Sequence, residues 1–134
     1  MAEYISTVTQ DVAAGSPVIL QTTAIKGGCS IQHRDGTGSV SLRGSGSCCN
    51  PARYKVFAHV SITTVDATPV QLGLALDGEV LPETIMSMQT ATVGTLLSGS
   101  TGAIVLSDFG SRVTIEAITA AEVNTALLTV ERIA

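Results

Sequence analysis

Three cysteines and two histidines are the most reactive side chains in this 134-residue sequence. Cys29 and His33 stand four positions apart, and Cys48 and Cys49 are adjacent. They form the one set with metal-ligand character, since zinc accepts two thiolates and an imidazole. Against that reading, vicinal cysteines are awkward partners on one ion, and the usual C-x2-C spacing is absent. The same residues offer a disulfide from Cys29 to Cys48 or Cys49, because the two segments flank one hairpin. Free or packed thiols are the third reading. The chain starts Met1-Ala2-Glu3-Tyr4, without the basic and apolar segments of a signal peptide, so a reducing birthplace is the default.

Catalysis finds few tools. A nucleophile needs a base and an orienting acid. His33 and His59 are the two candidate bases, and no serine sits in a Gly-x-Ser-x-Gly elbow. His59 falls mid-strand, where a packed, hydrogen-bonded or subunit-facing role is expected. Gly36-Thr37-Gly38 and Gly44-Ser45-Gly46 lack the full dinucleotide fingerprint and the Walker lysine, and read as turns. Asp35, Asp77, Glu79 and Glu83 are the acids best placed for calcium, but their spacing is not an EF-hand loop, so solvated turn residues are expected. Trp is absent, which removes the usual stacking platform for a sugar. The expectation is a non-enzyme with no catalytic residues, no cofactor and no metal.

Composition narrows the class. A net charge of −4 with seven basic residues argues against nucleic acid, whose phosphates call for a basic stripe. With 45% hydrophobic and 13% charged residues, disorder is not expected. No apolar run approaches the ~18–20 residues of a bilayer span, so no membrane partner is expected. Val, Ile and Thr number 14, 10 and 17, nearly a third of the chain. Such β-branched side chains suit a pleated surface better than a helix.

Period-two alternation recurs accordingly. Strands are expected at 3–9, 18–25, 30–34 and 39–43, the last two joined by an Asp35-Gly36 hairpin turn. A loop at 44–51 precedes the clearest strand, 52–65, in which Tyr54, Val56, Ala58, Val60 and Ile62 share one face. Val70 to Leu76 follows, then an Asp77-Gly78 hairpin. A strand at 84–93, a turn within 94–102 and a short buried strand at 103–106 come next. A strand at 112–119, a helical turn at 120–124 and a closing strand at 125–133 complete the chain. About nine or ten short strands with frequent turns predict an all-β sandwich or barrel.

The order of motifs carries a resemblance over roughly residues 38–134. Arg53-Tyr54-Lys55-Val56-Phe57-Ala58-His59-Val60-Ser61-Ile62 is followed by a strand ending Leu76-Asp77-Gly78. A strand around Val113-Thr114-Ile115 and the final Leu128-Thr129-Val130-Glu131-Arg132-Ile133 come after it. This resembles the TNF/C1q-like jelly-roll domains of bacteriophage virion proteins and of bacterial collagen-like surface proteins. The stretch from Cys29 to Gly44 is similar to small phage-encoded members without a collagen stalk. The resemblance implies an antiparallel jelly-roll sandwich, a homotrimer and a structural role on a virion surface, as a capsid decoration (cement) or head-fibre protein made in the host cytoplasm. The partner would be the major capsid protein or another virion protein. The alternative is a receptor-binding or adhesive tip of a tail fibre or bacterial surface protein.

Residues 1–17 are expected to be an N-terminal arm or a first strand, and 18–134 the jelly-roll domain. As an arm, Tyr4, Ile5 and Val8 would contact a neighbouring subunit or a capsid shell, because exposed β-edges pair readily. Val60, Ile62, Leu128 and Val130 are the expected trimer-packing faces.

Overall fold

The computed structural model describes residues 1–134 apart from 47, 48, 66, 91 and 134. Twelve strands and one 3-10 turn are present among them, and no α-helix. In chain order the strands are β1 (Ala2–Ser6), β2 (Gln10–Val12), β3 (Thr22–Ile25), β4 (Ile31–His33), β5 (Val40–Leu42) and β6 (Ala52–Thr63). They continue with β7 (Val70–Leu76), β8 (Glu79–Val80), β9 (Met86–Met88), β10 (Leu96–Ser107), β11 (Ser111–Ala117) and β12 (Ala121–Arg132).

The strand pairings among the described residues are antiparallel and make two sheets. The first runs β10-β6-β12-β1-β3, with β2 continuing beside β12. The second runs β4-β5-β11-β7-β8, with β9 also on β7. Alternation turns these sheets into a sandwich. On β6, Ala52, Tyr54, Val56, Ala58, Val60 and Ile62 are all buried, while the residues between them are exposed or half-buried. Leu42, Leu72, Leu74, Ile115 and Leu128 complete the interior between the sheets.

Local chemistry explains the corners. Asp77 and Gly78 both take positive φ, 53° and 85°, which gives a two-residue hairpin the twist its strands need. Tyr54 is fully buried, and its hydroxyl donates to the Arg43 carbonyl at 2.6 Å, tying the loop after β5 to the central strand. Gly44 lies so close to the backbone of Asp108 and Gly110 that a Cβ would collide with both. In the 3-10 turn (Pro82–Thr84), the buried Thr84 hydroxyl donates to the Leu81 carbonyl at 2.7 Å and accepts from the Leu74 amide at 3.0 Å.

Three sequence expectations need correction. The turn expected within 94–102 is confined to its start at Gly94, and β10 begins at Leu96 and runs twelve residues along β6. Its glycines have packing reasons. Gly99 makes room for the Met86 and Met88 sulfurs, and the Phe57 ring lies close to Gly102. The stretch 120–124 is not a helical turn but the start of β12, held by β2 and β6 with a bulge between Val123 and Thr125. The expected strand at 84–93 shortens to β9, because Pro82 opens a 3-10 turn before it. The count of nine or ten becomes twelve, since the chain spends extra short strands at the sheet margins.

Residues 1–17 contribute two strands, β1 and β2, to the first sheet. β1 lies between β12 and β3, paired on both sides, so it offers no free edge.

Candidate functional site

Tyr4, expected as an arm contact, is 2% exposed and points into the core. Its phenol is raised above the ordinary 10.0 by burial, with the Asp35 charge adding to the effect. Ile5 is half-buried on the outer side of β1, and Val8 is exposed in the link to β2. The structure therefore separates these three residues rather than gathering them into one contacting arm.

Val60, Ile62, Leu128 and Val130 also require correction as packing faces for a neighbour. Each is 0% exposed within the single chain, where they meet the second sheet. Side chains already removed from water have nothing left to bury against a second copy.

The two thiols among the described residues do not assemble into a site. Cys29 and Cys49 are exposed free thiols, and Cys48 lies outside the described residues. His33 shares a groove with Cys29, but its ring is otherwise engaged. Nδ1 lies 3.0 Å from the Ser39 carbonyl and Nε2 3.0 Å from the Leu20 carbonyl, with the Tyr4 ring 4.6 Å away. Neither ring nitrogen is presented to a metal. Among the described residues, no three His, Cys, Asp or Glu side chains converge as a metal site. Asp35 accepts from the Thr23 hydroxyl at 2.6 Å, and Asp77 accepts from the Arg112 amide at 2.9 Å, so both acids brace turns.

What the fold does build is a group of large apolar side chains on the outer face of the first sheet, interleaved with Arg53, Lys55 and Glu131. Phe57 is 43% exposed, Ile104 63% and Leu106 51%. Leu127 and Ile5 lie half-buried on the same side, in one cross-strand row with His59 and Ser100. His59 Nδ1 is 2.7 Å from the Ser100 hydroxyl, so this histidine is hydrogen-bonded on that face. The face ends at β10, the margin of the sheet, whose twelve residues carry no charge and no proline. Long, flat, uncharged edges are what a lone soluble sandwich normally avoids.

The sequence reading took 103–106 as a buried strand, whereas Ile104 and Leu106 are exposed in the single chain. Ala103-Ile104-Val105-Leu106 and Ala126-Leu127-Leu128 are continuous apolar runs. A strand apolar on both sides is one whose two sides are both covered.

The arrangement of the two sheets is the TNF/C1q-like jelly roll. Solved structures sharing it include the globular domain of zebrafish complement 1qA protein, with TM-score 0.72 and 17% identity over 99% of this chain and 96% of that one. PRD1 vertex protein P5 matches with TM-score 0.60 and 10% identity, over 99% of this chain and 96% of its own. Rabbit GITRL matches with TM-score 0.57 and 10% identity, over 100% and 95%. No protein-family model matches the sequence, and no curated protein matches it.

Proposed function

We propose that this chain is a non-enzymatic structural protein of a virion surface, working as a homotrimer that decorates a capsid or forms part of a head fibre. The observation that carries the reading is the outer face of the first sheet. Phe57, Ile104, Leu106 and Leu127 lie exposed or half-buried there, among Arg53, Lys55 and Glu131, beside an uncharged edge strand, while β4, β5 and β11 of the second sheet turn Gln32, Ser41 and Arg112 outward. Such a face and an adjoining edge on one subunit suit a head-to-tail contact, the face of one copy receiving the edge of the next. Such contacts close into rings when the rotation permits. Burial there would also reinforce a core with few aromatics, only four in the chain. The fold shared with a vertex protein, and the sequence resemblance to stalkless phage proteins, support the virion setting.

Light scattering on the purified protein tests the assembly. The expected mass is three times 13.7 kDa, and a stable monomer at micromolar concentration would overturn the reading. Cosedimentation with shells of the major capsid protein tests the setting, with the protein expected in the particle fraction. Failure to cosediment with any assembled virion component would remove the decoration role.

A further inference from the structure

The second sheet's outer face holds a different feature, a groove of 530 Å³ that no carboxylate lines. Arg34 stands at one side, from the turn after β4, and Arg112 at the other, on β11. Among the described residues neither guanidinium forms an ion pair. In an acidic chain with only seven basic residues, two unpaired arginines at one depression are a local concentration of positive charge. Asp35, next to Arg34, is turned to the Thr23 hydroxyl and lies 4.0 Å from His33.

Register fixes what lies between the arginines. Gln32, Ser41 and Arg112 are direct cross-strand partners on β4, β5 and β11. Three adjacent strands make that row about 10 Å wide. Ser39 lies beside it, also on the groove wall. The set offers two planar guanidinium forks, one amide and two hydroxyls. Guanidinium forks match the paired oxygens of carboxylate and phosphate. An amide and hydroxyls match sugar hydroxyls, as both donors and acceptors. The neighbouring groove of 470 Å³ shares Arg112 but includes Asp77 and Glu116, which would repel an anion.

The geometry points to a binding site for an acidic sugar, a saccharide bearing a carboxylate or phosphate, held by Arg34 and Arg112 at its charged group and by Gln32, Ser39 and Ser41 at its hydroxyls. Recognition by charge and hydrogen bonds needs no aromatic platform, which fits a chain without Trp. The groove lies on the sheet opposite the proposed subunit interface, so the two inferences stand or fall separately.

The test is a titration of the isotope-labelled protein, followed through its amide resonances, with D-glucuronate, glucose 6-phosphate, glucose and inorganic phosphate. Saturable shifts at Ser39, Ser41 and Arg112 with either acidic sugar support the site, and the arm that responds identifies the charged group. Arg112→Gln and Arg34→Gln are each expected to weaken binding by about tenfold or more, the loss of a charge-assisted hydrogen bond. Lys55→Gln, on the other sheet, is expected to leave it unchanged. Amide dispersion reports in the same spectra that each variant is folded. The proposal is overturned by absence of saturable shifts at the groove, by unchanged affinity in folded Arg112→Gln and Arg34→Gln, or by glucose or inorganic phosphate binding as tightly as the acidic sugars.

Discussion

Replacing Ile104 by Asp probes the outer face of the first sheet without touching the core. Ile104 is 63% exposed and projects outward from β10, directly across from Lys55. Full burial of an isoleucine side chain is worth about 1.5–3 kcal/mol, so covering its exposed part contributes about 1–2 kcal/mol per subunit. Three copies per trimer give about 3–6 kcal/mol, or roughly two to four decades in the assembly constant. Desolvating three carboxylates adds to that loss. Within a single subunit the change stays in solvent, beside a lysine, and should cost no more than about 1 kcal/mol of β propensity. Sedimentation equilibrium over a concentration series reads the assembly, and denaturant unfolding under dissociating conditions reads the subunit. Ile104→Asp should move the protein from three times 13.7 kDa toward the single mass while it remains folded. Leu128→Ala, in the core at 0% exposure, should instead cost the subunit about 2–5 kcal/mol. If Ile104→Asp assembles as tightly as the original chain, the outer face of the first sheet is not the interface. The reasoning fails equally if assembly and subunit stability fall together by the same amount.

Three further outcomes are expected. Thr84→Val leaves the buried Leu74 amide without its 3.0 Å acceptor and should cost about 1–3 kcal/mol in urea unfolding. Thr84→Ser keeps the oxygen and should cost about one methyl group, roughly 0.8 kcal/mol; equal losses would contradict the hydrogen-bond argument. Gly44→Ala forces a Cβ into the backbone of Asp108 and Gly110 and should cost about 1–3 kcal/mol or more. Gly28→Ala, whose Cβ would meet nothing within 4 Å, should stay within about 0.5 kcal/mol of the original, so similar melting of the two variants would refute the close approach. Tyr4 ties stability to alkaline pH, because its phenol in the fold is held above 10.0. The unfolded chain gives up that proton first, so the contribution is intact below about pH 10 and is lost as pH rises toward the folded value. Unfolding curves between about pH 9 and 11 should show a smaller decline for Tyr4→Phe, and identical slopes would remove the link.

The strands from Ala52 to Thr63 and from Val70 to Leu76 were legible because alternation and flanking turns are local properties of the chain. The Asp77-Gly78 hairpin was legible for the same reason, since positive φ at both positions is a demand that few residues meet. β10 was not legible. Glycine, serine and threonine between Ser98 and Gly102 read locally as a turn, and only the twelve-residue partner β6 holds them extended. The start of β12 was hidden likewise, because its pairing with β2 joins residues over a hundred positions apart and its bulge forms against the equally remote strand β6.

The candidate sites divide along the same line. Sequence determined the chemical inventory: a β-rich chain with few aromatics, few charges and two histidines. It also assigned Val60 and Ile62 to one face of β6 and Phe57 and His59 to the other. Only the tertiary structure decided which face turns inward, sending Val60, Ile62, Leu128 and Val130 to the core and leaving Phe57, Ile104 and Leu106 outside. Only it placed Tyr4 in mid-sheet and set Arg34 beside the same groove as Arg112. The physical reason is that a period of two gives a strand two faces without ranking them. Ranking comes from which strands pair and in what register, and those contacts are made between residues far apart in the chain.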